Sequence, residues 1–179
     1  MIQSKSKGKY KTYQNKSLTS CTNCFLLLRY QRQPVLLSDG GTVSLDWATT
    51  ATTDPKAPIK LILHGLSGSS QERYVLQMVK TCVEKGWRPV VMNARGCGGT
   101  PLTTPEGFNG VRTLDLEESL VVIRTQFPQA PIYGIAYSLG ASLMIRCFSC
   151  GSFAGHLDRD LITRLFPIGI LVRSAMIPY

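Results

Sequence analysis

Apolar and polar positions alternate over the first patterned stretch of the chain and gather into short apolar runs after it. From Tyr30 onward, Pro34-Val-Leu-Leu37 leads into Ser38-Asp-Gly-Gly41 and then Thr42-Val-Ser-Leu-Asp-Trp47. Asp-Gly-Gly is a turn signal, and the alternation puts Val43, Leu45 and Trp47 on one face, so a β-hairpin is expected. After a polar loop over residues 48–58, Ile59-Lys-Leu-Ile-Leu63 has the texture of a buried strand and ends in His64-Gly65-Leu66-Ser67-Gly68. Ser69-x-x-Glu72 has the spacing of a capping box and opens a helix with Val75, Val79, Cys82 and Val83 on one side, closed by Gly86. The next strand is expected over residues 87–92. It runs into a glycine-rich loop, Asn93-Ala-Arg-Gly-Cys-Gly-Gly-Thr100, and an irregular stretch to Gly110. A helix over residues 113–126 carries Leu116, Leu120, Ile123 and Phe127 on one face, and Pro128 stops it.

The stretch that follows is the most pointed. Ile132-Tyr-Gly-Ile-Ala136 reads as a short buried strand, and Leu139, Ala141, Leu143, Met144 and Ile145 suit a helix lying on a sheet. Between them stands Ala136-Tyr-Ser138-Leu-Gly140, one residue away from the strand–turn–helix pattern G-x-S-x-G. Such a turn brings helix and strand so close that the positions two before and two after the serine must be small. Gly140 meets that demand and Ala136 nearly does. The turn lifts the hydroxyl of Ser138 above the strand end and aims the N–H of Leu139 at the oxygen of a reacting carbonyl. A plain strand–serine–helix connection is the alternative on the pentapeptide alone.

Strands alternating with helices after a hairpin predict an α/β fold, a mostly parallel sheet with helices on both faces. The loops after its strands, at His64, Asn93 and Tyr137, would gather at one sheet edge, where ligands bind in such folds. In that frame Leu66 is placed to give a second oxyanion N–H, with Gly65 letting the backbone turn and His64 held by the turn for structure. Asn93–Thr100 lacks both phosphate-loop patterns, so a nucleotide site is not expected.

Composition adds less. The chain has 179 residues and a formal charge of +9. Five lysines, two arginines and no acid fall in residues 1–32, so the other 147 residues carry about +2. Residues 1–29 are read as a solvated basic leader. A transit segment or a contact with nucleic acid or anionic lipid is a competing reading, and charge alone does not support nucleic-acid function. Six cysteines form two widely separated C-x-x-C pairs, Cys21/Cys24 and Cys147/Cys150, whose spacing does not suit a common zinc site. Unpaired thiols and no secretory signal point to an intracellular setting, cytoplasmic or membrane-associated, with organelle targeting left open.

Together the runs Leu63-His-Gly-Leu-Ser-Gly-Ser-Ser-Gln-Glu-Arg-Tyr74, Asn93-Ala-Arg-Gly-Cys-Gly-Gly-Thr-Pro-Leu-Thr-Thr-Pro105 and Tyr137-Ser-Leu-Gly-Ala141 resemble the YheT-like branch of the α/β-hydrolases. The resemblance covers residues 30–146. It implies a partial α/β-hydrolase fold and carboxylesterase or acylglycerol lipase activity on a small-molecule ester, with no metal or organic cofactor. It leaves a peripheral membrane contact or a protein partner open. By motif position Ser138 would be the nucleophile and Leu66 and Leu139 the oxyanion donors. In this family order the acid and histidine follow the serine on later strands, which do not fit in the 41 residues after Ser138. Residues 147–179 diverge from the family, so the domain is expected to lack its last strands and this chain its triad acid and histidine. His156, Asp158 and Asp160 stand in the wrong order to replace them, and Asp115 reads as a helix-start acid. The rival expectation is an inactive fragment that binds acyl lipid or a protein partner, with the strand at Ile132 exposing an unpaired edge.

Overall fold

The computed structural model describes residues 28–49 and 51–149, and the backbone of two further short strands. The hairpin forms from β2 (Tyr30–Leu36) and β3 (Thr42–Ala48), with β1 (Lys11–Tyr13) antiparallel on its outer side. Gly40 takes a φ of 81° in the turn, and the Gly41 N–H donates to Asp39 Oδ1. The remaining order is β4 (Ile59–Leu63), α1 (Arg73–Glu84), β5 (Arg88–Asn93), α2 (Leu114–Gln126), β6 (Ile132–Ala136), α3 (Leu139–Ser149) and β7 (Leu171–Val172).

Seven strands pair in the order β1-β2-β3-β5-β4-β6-β7. The first four of these neighbours run antiparallel to one another. β5, β4, β6 and β7 are mutually parallel. β5 lies on one side of β4 and β6 on the other, so the chain reverses its direction across the sheet between them, which opens a crevice at the strand C-termini.

Alternation along each strand distributes the core to the two faces. Leu61 and Leu63 of β4 pack with Val43, Leu45, Val90, Met92 and Ile132 beneath Leu116, Leu120 and Ile123 of α2 and Leu143 and Met144 of α3. Ile62 points the other way and joins Val91 and Ile135 under Val75, Leu76, Val79 and Cys82 of α1. Helices therefore cover both faces, as the pattern predicts. Each such fully buried aliphatic side chain contributes about 1.5–3 kcal/mol. Trp47 packs against the same cluster as Val43 and Leu45, as the hairpin alternation requires.

Two expectations change. The capping box does not form: α1 starts at Arg73 with Glu72 at the N-cap and no side-chain cap. Ser69 Oγ instead accepts from the N–H of Gln71 in a local turn. The edge beyond β6 is not bare either, because Leu171 and Val172 pair parallel with Ile135 and Ala136. Residues 1–10 and 14–27 of the basic leader, and His156, Asp158 and Asp160, lie outside the described residues.

Candidate active site

Parallel register aligns the C-terminal ends of the central strands: Leu63 pairs with Ala136 and with Met92. One further rung, the Tyr137 N–H to the Leu63 carbonyl at 3.1 Å, carries β6 past its end. The chain then turns within one residue. Ser138 takes a φ of 49°, in the left-handed region that costs a non-glycine residue about 1–2 kcal/mol, and α3 begins at Leu139. The N–H groups of Ala141 and Ser142 bond back to the Ser138 carbonyl at 2.9 and 3.1 Å. The Ser138 residue is exposed at the tip.

The small residues around it are explained by contact. A Cβ at Gly140 would overlap the His64 carbonyl oxygen and stand 2.9 Å from Leu63 Cβ. Ala136 is buried at the last rung of β6, where it packs in the core. Gly65 is close to the serine, since a Cβ there would lie 3.4 Å from Ser138 Cβ. Within this turn the positive φ falls on Ser67, at 54°. What fixes Gly65 is Tyr74: its hydroxyl oxygen accepts the Gly65 N–H at 3.1 Å, and its ring lies 4.6 Å from that of Tyr137. Leu66 is 70 % exposed and Leu139 half-buried. Among the described residues, the N–H groups of Leu66 and Leu139 donate to no protein acceptor.

His64 sits behind the turn, 1 % exposed. The Ala94 N–H donates to its Nε2 at 3.1 Å, so that nitrogen must be an acceptor. Nδ1 lies 2.7 Å from the Gly65 carbonyl and must therefore carry the proton. The ring is neutral, both nitrogens are engaged, and Phe108 packs edge-on at 5.3 Å. Burial pushes its pKa below the usual 6.5, against the weaker opposing effect of the Gly65 hydrogen bond. The sign follows directly. Below about pH 6.5 the unfolded chain binds a proton at this position that the folded chain refuses, so stability falls as pH drops toward the lowered folded value. Urea midpoints measured at pH 7 and pH 5 should show this loss, and His64→Gln should flatten it relative to a His156→Gln control.

Two buried ion-pair networks frame the crevice, and the alternation of β3 gives no hint of the first. Asp46 is 1 % exposed on the face opposite Val43 and Leu45. It accepts two hydrogen bonds from Arg32 at 2.7 Å, one from the Ser70 hydroxyl at 2.6 Å and one from Asn93 Nδ2 at 2.8 Å. Arg32 also donates to the Gly98 carbonyl, and Asn93 Oδ1 accepts from the Ser70 N–H. Gly98 needs to be glycine, having a φ of 55° and no room for a Cβ beside Ser69 and Asn93. In the second network Arg95 donates to both oxygens of Asp115 at 2.7 Å and both of Asp39 at 2.7 and 2.9 Å. Arg112 bonds the same two acids, and the Arg95 hydrogen bond is the main reason the Asp39 carboxyl is held down to about 2. Asp115 is thus a structural acid in the first turn of α2, with both oxygens occupied. The glycine-rich loop from Asn93 to Thr100 is a clasp tied to Asp46 of β3, Asp39 of the hairpin turn and Asp115 of α2.

The thiols offer no redox pair among the described residues. Cys82 and Cys147 are buried, and burial raises Cys82 to about 11. Cys21, Cys24 and Cys150 lie outside those residues, as does any pairing they make.

Known proteins agree with this architecture. A family model for the alpha/beta hydrolase fold matches residues 61–148. Human phospholipase ABHD3 is 34 % identical over 123 residues, covering 66 % of this chain and 30 % of its own. The putative esterase YheT of Escherichia coli is 31 % identical over 112 residues, covering 63 % of this chain and 33 % of its own. The chain thus spans about a third of the length of these relatives. Among solved structures, the Pyrococcus furiosus esterase Pf2001 superposes with a TM-score of 0.58 at 18 % identity, covering 78 % of this chain and 51 % of that one, a likeness of fold. No helix among the described residues is long and apolar enough to cross a membrane. The strained serine turn at the parallel-strand edge and the matched relatives agree: residues 61–148 form an α/β-hydrolase domain, and the chain is similar to members of the YheT-like branch.

Proposed function

We propose that this is the nucleophile-bearing part of a serine ester hydrolase that acts on carboxylic esters of the acylglycerol or phospholipid type. The observation that supports the reading is the left-handed backbone of exposed Ser138 at the one-residue turn from β6 into α3, beside the His64–Gly65 turn. Ser138 Oγ attacks the ester carbonyl carbon, and the N–H groups of Leu66 and Leu139 receive the oxygen as it gains charge. The Ser138 proton passes to the departing oxygen, by way of a base the described residues do not supply, so that the carbonyl re-forms, the alcohol leaves and water then cleaves the acyl-enzyme to the free acid. The exposed Leu66 side chain supplies apolar surface for an acyl chain at the same edge. The names of the two relatives, a phospholipase and an esterase, support the substrate class.

A second reading rests on His64. The sequence has two histidines, and the one within the described residues has both nitrogens occupied. Those residues therefore supply no free histidine as general base, and on this reading they act as an acyl-group binder with little turnover. Losing the base from a serine triad costs roughly 10⁶ in kcat. A fluorophosphonate probe followed by peptide mapping, run beside turnover of a short p-nitrophenyl ester, tests both readings. Slow labelling at Ser138 that vanishes in Ser138→Ala is expected, with ester turnover near background. A folded chain that never labels would refute the nucleophile. Rapid turnover would refute the base-free reading.

A further inference from the structure

At the opposite end of the parallel strands, where β5 begins, lies a groove of about 510 Å³ with no part in the serine chemistry. Trp47 and Phe127 form its aromatic wall, their ring centroids 5.4 Å apart, and Gln31, Gln33 and Arg88 supply polar groups. The Trp47 indole N–H donates to Gln33 Oε1, which leaves the Gln33 amide N–H₂ to donate elsewhere.

Arg88 is the unusual member. It is 7 % exposed and stacks over the Phe127 ring at 4.2 Å. Its Nη2 donates to the carbonyls of Thr52 and Asp54, at 3.1 and 2.6 Å, but its buried Nη1 finds no acceptor among the described residues. The two other buried arginines that hold this fold together, Arg32 and Arg95, each grip a carboxylate with two hydrogen bonds. Among the described residues Arg88 makes no such pair, and its hydrogen-bond acceptors there are carbonyl oxygens. The Asp54 carboxylate lies near enough to favour the Arg88 charge, but a buried N–H group with no acceptor is still costly.

We propose that this groove binds a small aromatic carboxylate, whose carboxylate accepts from Arg88 Nη1 while its ring packs on Trp47 and Phe127. Planar carboxylates match the guanidinium fork, and the ring prefers an aromatic wall to water. Nη1 is covered, and Phe127 is the groove-side ring stacked on the guanidinium. Entry of the carboxylate therefore tilts Phe127 and disturbs its contact with Trp47.

Benzoate is the test ligand and benzamide its neutral isostere, each titrated into the chain while the two tryptophan indole N–H resonances are followed by NMR. Benzoate should shift the Trp47 signal saturably with a midpoint of about 1–10 mM, as befits a ligand of this size. Trp87, which packs on the other face of the sheet, should not move. Benzamide should bind about tenfold more weakly, because it lacks the charge. Arg88→Gln should erase the preference for benzoate. Equal binding of the two ligands, or no saturable shift with benzoate, overturns the proposal on the unmodified chain even if the variant does not fold.

Discussion

Replacing Asp46 with alanine should destabilise the domain by about 3–5 kcal/mol, enough to consume much of the ~5–15 kcal/mol that holds a typical domain folded. The large figure comes from what stays behind. Asp46 is the common acceptor for Arg32, Ser70 and Asn93, all of them buried. Without it Arg32 loses both of its carboxylate hydrogen bonds, and a buried guanidinium is left with its charge less well matched. Because Ser70 leads into α1 and Asn93 opens the clasp, the loss should loosen both loops beside the serine. Urea denaturation gives the magnitude, and faster hydrogen exchange of the Ser70 amide, which now donates to Asn93, gives the location. Replacing both members, as in Arg32→Met with Asp46→Leu, should cost clearly less than Asp46→Ala, since no charge is stranded. A single variant as stable as the natural chain would remove Asp46 from any framing role.

The contrast between the two faces of β3 shows which parts of the molecule are legible from sequence. Val43, Leu45 and Trp47 announce a buried face because apolar residues at a spacing of two have one physical reading. Thr42, Ser44 and Asp46 occupy the alternate positions, where the same rule predicts solvent, yet all three are buried. Residues of the loop after β5 meet all three: Thr103 lies 3.3 Å from Thr42, Asn93 donates to Asp46, and the Thr100 hydroxyl donates to Ser44 Oγ at 2.9 Å. That contact joins residues 56 apart, and local spacing carries no trace of it. The signal that was available lay in the loop itself, with an asparagine, an arginine and three glycines in one short run. The glycines now have their reason: Gly96, Gly98 and Gly99 all take positive φ, which lets the loop fold back on Asn93.

The serine turn was readable for a different reason. Its constraint is steric and local, so the small residue at 140 and the immediate start of α3 appear in the sequence itself. The role of Tyr74 was not readable. A tyrosine in the first turn of α1 gives no sign that its hydroxyl will accept the Gly65 N–H and lean on Tyr137. The same holds for His64, where only the Ala94 and Gly65 contacts show that the ring is held neutral and in use. The fold thus follows from periodicity, whereas the state of each polar group at the site depends on partners from other strands.

The narrowest point of the site is Gly140, and Gly140→Ala should cost about 3 kcal/mol through overpacking. At most helical positions alanine is the better residue by close to 1 kcal/mol, so the expected sign here is opposite to propensity. The reason is the missing space: the added methyl would overlap the His64 carbonyl oxygen and press on Leu63 at 2.9 Å. Both are backbone-anchored parts of β4 and its exit turn, and neither can swing aside as a flexible side chain would. Relief requires α3 to move off the sheet, or the His64–Gly65 turn to move away from Ser138. Either motion separates the Leu66 and Leu139 N–H groups that the proposed oxyanion site needs together. Gly140→Ala should therefore lower the urea midpoint and slow fluorophosphonate labelling of Ser138 together. Gly107→Ala, at a loop position where a Cβ meets nothing within 4 Å, should change neither. If Gly140→Ala labels at the natural rate while losing stability, the helix has shifted without disturbing the turn, and the link between this packing contact and the serine site is refuted.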